Sequence, residues 1–137
     1  MMRKTILLVD DNPDDVELTV RAFRSTDVHE PIRIARDGTE AIDQLFGSPA
    51  RILPSLVLLD LKLPGIDGVD VLRRIRADPS TRALPVVILT SSNERVDLMN
   101  CYRLGANSYV RKPVSFSDFL AATRQIASYW LSLNESL

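Results

Sequence analysis

The stretch ILLVDDNPDD, residues 6–15, runs an apolar segment directly into a cluster of acids. Adjacent carboxylates such as Asp10 and Asp11 repel each other, so a buried strand that ends on them loses stability unless a cation lies nearby. Asn12 followed by Pro13 is typical of a helix N-cap with proline at the first helical position. The stretch therefore predicts a strand, an acidic loop and the start of a helix.

The same rhythm recurs along the chain, because short runs of Ile, Leu and Val alternate with segments whose apolar residues lie three or four apart. The runs are Ile6–Val9, Ile32–Ala35, Leu56–Leu59, Val86–Leu89 and Tyr109–Val110. Strands that alternate with helices predict βαβ units and a parallel sheet. Within the runs, polar residues do not alternate with apolar ones as they do in a half-exposed sheet, so we expect helices on both faces.

Helix boundaries agree with this interpretation. Asp37 with Glu40 and Ser115 with Asp118 have the spacing of N-terminal capping pairs. Gly105 follows a predicted helix over 96–104, where a left-handed residue is favoured. The sequence predicts an α/β domain of five strands and five helices.

Length and composition predict a single domain over residues 1–137, without repeats, linkers or an output domain. The 17 basic and 18 acidic residues give a net charge of −1, which provides no positive field for nucleic acid. Cys101 is the only cysteine, as expected in a reducing compartment. The apolar run before Asp10 is too short to predict a signal peptide, and no apolar run is long enough to predict a membrane span. These features predict a cytoplasmic protein without membrane or nucleic-acid partners.

Polar residues end four of the predicted strands, and ligands bind at the carboxyl ends of strands in such sheets. They are Asp10 and Asp11 after strand 1, Asp60 after strand 3, Thr90 and Ser91 at strand 4, and Lys112, which precedes Pro113, after strand 5. Neighbouring carboxylates with room for water suit Mg²⁺. Lys112 and Thr90 would bind phosphoryl oxygens, and Asp60 is the candidate nucleophile. The alternative is an ordinary buried ion pair between Asp60 and Lys112, which would be favoured if the Asp10-Asp11 pair were missing.

Together these motifs resemble the receiver domain of two-component response regulators over the whole chain. They are the Asp10-Asp11 pair, Asp60 followed by Leu63-Pro64-Gly65, Thr90, and Lys112-Pro113. The resemblance implies the flavodoxin-like receiver fold, with strand order 2-1-3-4-5. It implies a response regulator, not an enzyme in its own right, which accepts a phosphoryl group on Asp60 from a sensor histidine kinase.

The resemblance also implies residue roles. Asp11, Asp60 and the backbone carbonyl of Lys62 would bind Mg²⁺ directly, and Asp10 would bind it through water. The Ser91 amide would contact the phosphoryl group, Thr90 and Tyr109 would form a coupled switch pair, and Lys62 and Ser92 would tune hydrolysis of the aspartyl phosphate. The family form of the Lys112–Pro113 peptide is cis. Asp14, Asp15 and Glu17 are expected to face solvent.

Three longer segments resemble the single-domain regulators that pair with bacterial phytochrome kinases, although other stand-alone receivers share the first two. They are ILLVDDNPDDVELTVRAF, DPSTRALPVVILTSS and SYWLSL. A bacteriophytochrome is therefore a candidate kinase. The output would pass by protein contact, dimer change or phosphorelay.

Other functions fit the sequence less well. An Asp-nucleophile phosphatase of the haloacid-dehalogenase type needs a second Asp where this chain has Lys62. A flavodoxin needs a phosphate-binding loop after strand 1, and that loop is acidic here. Hydrolysis by serine or cysteine lacks a suitable histidine, since His29 lies near a predicted exposed turn. A phosphorylation-independent pseudo-receiver adaptor would lack one of the site residues, and none of them is missing from this sequence.

The C-terminal segment predicts an extended helix over about residues 116–134. A helix of about 20 residues reaches roughly 30 Å, whereas a five-residue strand spans only about 17 Å. Its end should therefore project beyond the sheet and expose apolar side chains, namely Tyr129, Trp130, Leu131 and Leu133. We predict a homodimer through helix 4, strand 5 and helix 5. The alternative is that the tail folds back onto its own domain.

Overall fold

The computed structural model describes residues 4–47 and 52–135, which form one five-stranded sheet with helices on both sides. The strands are β1 (Ile6–Val9), β2 (Ile32–Ala35), β3 (Leu56–Leu59), β4 (Val86–Thr90) and β5 (Ser108–Arg111). The helices are α1 (Pro13–Arg24), α2 (Gly38–Phe46), α3 (Gly68–Ala77), α4 (Arg95–Arg103) and α5 (Phe116–Ser128), and a π-helical turn (Tyr129–Leu133) follows α5.

All neighbouring strands are parallel, and their order is β2-β1-β3-β4-β5. In register, Leu8 of β1 lies between Ile34 of β2 and Leu58 of β3. The chain therefore reverses its direction of winding between β1 and β3, where a crevice forms at the carboxyl ends. The predicted fold class and strand order are confirmed.

The sheet is buried on both faces because successive side chains point to opposite sides of each strand. Leu7 and Val9 of β1 pack into a cluster with α2, α3 and α4. Ile6 and Leu8 pack into a second cluster with α1 and α5. Burial on both faces explains why the strands of this sheet are continuous apolar runs.

The predicted helix caps are present. The Asn12 side chain accepts hydrogen bonds from the backbone N–H groups after Pro13, and Asp37 and Ser115 cap α2 and α5 in the same way. Gly105 follows α4 with φ +96°, as its predicted position requires. Among the described residues, no helix is long and apolar enough to cross a membrane.

The C-terminal segment is covered more than the sequence predicts. Leu131 is only 7% exposed and belongs to the buried cluster that includes Phe23 of α1 and Val28 of the loop after it, and Trp130 packs partly buried against the same cluster. Leu133, in contrast, is 74% exposed. The prediction of a fully projecting end is wrong for Leu131 and Trp130. A comparison of helix length with strand length underestimates how much of the C-terminal segment is buried, because it leaves out α1 and its following loop, which lie beside the end of α5.

Candidate functional site

Three strands bring the central charged side chains together at their carboxyl ends. Asp10 follows β1, Asp60 follows β3, and Lys112 follows β5. The Lys112 Nζ donates hydrogen bonds to Asp10 Oδ2 and to Asp60 Oδ2, each at 2.9 Å. All three side chains are buried. The predicted convergence of these residues is therefore present in the structure.

Asp15 is a further member of the site that the sequence analysis missed. Its Oδ2 accepts a hydrogen bond from Lys112 Nζ at 2.8 Å, and its side chain is 24% exposed. The expectation that Asp15 faces solvent is wrong, because the first turn of α1 turns this residue back towards the ends of the strands. The sequence did contain a signal for this role, because Asp15 lies in the first turn of a helix that begins directly after the acidic loop.

Negative charge exceeds positive charge at the site. Burial raises the pKa of Asp10, although its hydrogen bonds with Lys112 and with the Asn12 amide oppose the rise. Burial alone would lower the pKa of Lys112, but its bonds to Asp15, Asp10 and Asp60 raise it overall. The ammonium is therefore firmly protonated, whereas the most buried acid carries a charge that its surroundings disfavour.

The remaining negative charge is arranged for a cation. Asp10, Asp11 and Asp60 can each present one carboxylate oxygen such that these oxygens all lie within 4.8 Å of one another. Asp11 is exposed and the other two are buried, so the group opens to solvent on one side. The backbone amide of Lys62 donates to Asp60 Oδ1 at 3.3 Å, which holds this loop close to the acids. Hard oxygen ligands with room for water fit a divalent cation such as Mg²⁺.

The predicted switch residues are joined through Ser92. Its backbone N–H donates to Thr90 Oγ1 at 3.4 Å, and its carbonyl oxygen accepts from the Tyr109 hydroxyl at 3.1 Å. Thr90 is fully buried, whereas Ser91 is exposed. Burial raises the pKa of Tyr109, so its hydroxyl is a donor at neutral pH. The loop after β4 is thus connected to the Tyr109 hydroxyl on β5.

A cleft of about 460 Å³ lies beside the acids, and Asp11, Lys62 and Asp97 are among its lining residues. Asp97, in the first turn of α4, accepts a hydrogen bond from Ser92 Oγ at 2.5 Å. No role for Asp97 was predicted from the sequence. The Lys112–Pro113 peptide is trans, which corrects the cis form implied by the resemblance and is the commoner state of such bonds.

A doubly wound sheet whose switch-point edge carries a buried aspartate, further acids and a lysine defines a class of phosphoryl-accepting signalling domains. The family model of the response regulator receiver domain matches residues 6–124. The chain belongs to this family. It is thus a receiver-domain response regulator of two-component signalling. The family binds a divalent metal at its acidic pocket and has a histidine kinase as partner.

Relatives and solved structures place the chain among receivers of similar length. It is 43% identical to the "Probable methanogenesis regulatory protein FilR2" of Methanothrix harundinacea, over 96% of this chain and 86% of that protein. The Mn²⁺-bound form of Rcp1, a response regulator of Synechocystis, superposes with a TM-score of 0.93 at 33% identity, covering 98% and 99% of the two chains. The phosphorylated cyanobacterial phytochrome response regulator RcpA gives 0.91 at 34% identity, covering 98% of each.

Proposed function

We propose that Asp60 accepts a phosphoryl group from a phosphohistidine of a sensor kinase, with Mg²⁺ at the Asp10, Asp11 and Asp60 group. The observation that carries the proposal is the position of Asp60. It is buried, bonded to Lys112 at 2.9 Å, and close to two further acids that can share a cation with it. A phosphorylated solved structure as similar as RcpA supports the same chemistry.

In the reaction, an Asp60 carboxylate oxygen attacks phosphorus while the bond to the histidine nitrogen of the donor breaks. Asp11, Asp60 and the Lys62 carbonyl would hold Mg²⁺ directly and Asp10 would hold it through water, and the ion would supply positive charge for the phosphoryl oxygens. Lys112 already lies at Asp60 Oδ2 and balances the charge of the transferred group.

The remaining contacts at the site would respond to phosphorylation of Asp60. The Thr90 hydroxyl and the Ser91 amide would bind phosphoryl oxygens. Since Thr90 and Tyr109 both bond to Ser92, a shift of Thr90 would pull on the loop that holds the Tyr109 hydroxyl. The signal would then reach the α4–β5 face.

Phosphorylation with acetyl phosphate and Mg²⁺ tests this function. The protein should form an acyl phosphate on Asp60, seen as a mass increase that base removes. Asp60→Asn and chelation of Mg²⁺ should each abolish it. Asp14→Asn, which neutralises an exposed acid in the first turn of α1, should leave it intact. Full labelling of the Asp60→Asn protein would contradict the assignment.

A bacteriophytochrome is our proposed kinase, since RcpA is named as a phytochrome response regulator. FilR2, in contrast, is named for the regulation of methanogenesis, so the names of the relatives do not point to one stimulus. The pairing with a bacteriophytochrome is therefore tested directly. A purified autophosphorylated bacteriophytochrome should transfer its phosphoryl group to this protein within minutes. Transfer no faster than from an unrelated histidine kinase would contradict the pairing. The cytoplasmic location stays a prediction.

We also propose a homodimer through α4, β5 and α5. Exposed apolar side chains occur on or next to these elements: Val96, Met99 and Tyr102 on α4, and Tyr129 and Leu133 after α5. Leu131 is removed from the predicted contact set because it is buried within its own chain. Sedimentation at micromolar concentration should show a dimer that Tyr102→Ser with Leu133→Ser weakens. Ile52→Ser, at an exposed site near β2, is the control. A monomer with and without phosphorylation would contradict the dimer.

A further inference from the structure

Asp97 connects two side chains that flank the phosphoryl-acceptor site from different loops. Its Oδ2 accepts the Ser92 hydroxyl at 2.5 Å and lies 3.7 Å from the Lys62 ammonium. Ser92 lies two residues after Thr90, and Lys62 lies two residues after Asp60. One carboxylate oxygen therefore holds side chains from both the β3 and the β4 ends.

The two partners of Asp97 differ in freedom. The Asp97 side chain is 18% exposed and anchored by a buried serine, whereas the Lys62 side chain is 63% exposed. The Lys62 backbone is fixed beside the acceptor, because its amide donates to Asp60 Oδ1. The Lys62 backbone is therefore held at the site while most of its side chain is in solvent, and its ammonium lies beside the Asp97 carboxylate.

A phosphoryl group on Asp60 would compete for the same ammonium. Phosphoryl oxygens carry more negative charge than a carboxylate, and an ammonium that binds them shields phosphorus from attacking water. While Asp97 retains Lys62, this shielding is reduced. We propose that Asp97 is a positioning residue that holds the Lys62 ammonium off the phosphoryl group and so shortens the lifetime of the aspartyl phosphate.

The reaction concerned is hydrolysis, and the inference rests on the proposed function. Water oxygen bonds to phosphorus, the bond from phosphorus to the Asp60 oxygen breaks, and the products are inorganic phosphate and the Asp60 carboxylate, with the proton of water released to solvent. Asp97 touches none of the reacting atoms. It acts through Lys62 and through the orientation of the Ser92 hydroxyl.

Asp97→Asn is the most informative variant, because the amide can still accept the Ser92 hydroxyl but no longer attracts Lys62 by charge. After labelling with acetyl phosphate and removal of the donor, its aspartyl phosphate should last about twofold to fivefold longer than that of the unsubstituted protein. The initial labelling rate should stay within about twofold. Glu94→Gln, which removes an exposed charge three residues away, should change neither quantity.

A double-mutant cycle with Lys62→Ala separates positioning from general damage to the fold. Lys62→Ala alone should leave the lifetime equal or shorter, and adding Asp97→Asn should then have no further effect. The proposal is overturned if the aspartyl phosphate of the Asp97→Asn protein lasts no longer than that of the unsubstituted protein. It is also overturned if Asp97→Asn lengthens the lifetime equally in the Lys62→Ala background, or if Lys62→Ala alone lengthens it. If the unsubstituted protein is never labelled on Asp60, the proposed function fails as well; normal labelling with an unchanged Asp97→Asn lifetime rejects this inference alone.

Discussion

The carboxyl edge of the sheet and the end of α5 contrast in how their side chains are held. At the edge, Asp10, Asp60 and Lys112 directly follow strands whose backbones are fixed by the sheet, and Lys112 bonds to both carboxylates. At the end of α5, Leu131 is buried while Leu133, two residues later, is exposed. Main-chain pairing determines the first region, and side-chain packing against a neighbouring helix determines the second.

The largest expected effect comes from removing the cation of the edge. Lys112→Met leaves Asp10, Asp15 and Asp60 without their common partner, so the free energy of unfolding in EDTA should fall by about 3 kcal/mol. Mg²⁺ should restore part of it, because the ion binds only the folded site. Urea unfolding measures both values. Lys62→Met, at an exposed lysine, should cost less than about 0.5 kcal/mol; equal losses in the two variants would remove the contrast between paired and exposed lysines.

The end of α5 allows a matched comparison of one chemical change at two neighbouring sites. Leu131→Ala should lower the free energy of unfolding by about 2–3 kcal/mol, because it empties part of the cluster with Phe23 and Val28. Leu133→Ala should change it by less than about 0.5 kcal/mol, since this side chain is exposed. Thermal or urea unfolding distinguishes the two. Similar effects would show that the segment packs differently from the structure described.

The smallest effect concerns the two adjacent acids. Because burial raises the pKa of Asp10, its charge at pH 7 opposes folding, and Asp10→Asn should raise metal-free stability by about 0.5–2 kcal/mol. The gain should shrink as the pH falls below the pKa of folded Asp10, where the carboxyl group is already neutral. Unfolding in EDTA across pH measures this.

Asp11→Asn provides the control for that measurement. Asp11 is exposed, so its substitution should leave metal-free stability nearly unchanged but weaken Mg²⁺ binding more than Asp10→Asn does. Calorimetric titration with Mg²⁺ gives the ranking. The reverse order would exchange the direct and the water-mediated roles of the two acids.

Much of this molecule could be predicted from its sequence because the deciding signals are local. The apolar runs place the strands, and Asn12, Asp37 and Ser115 cap α1, α2 and α5 within the first turn of each helix. Parallel strands align their carboxyl ends, so Asp60 and Lys112 were expected to meet although 52 residues separate them. The strand order came from the resemblance, not from the runs themselves.

Only the tertiary structure shows which helical side chains join the site, because the local signals in the sequence do not specify these contacts. Asp15 turns towards Lys112, and Asp97 reaches both Ser92 and Lys62. Leu131 is buried in the cluster that α1 and the loop after it help to form. The sequence determined which backbone segments end at the acidic edge. The angle at which each helix approaches that edge depends on packing between distant segments, and this angle determines which helical side chains reach the site and which remain in solvent.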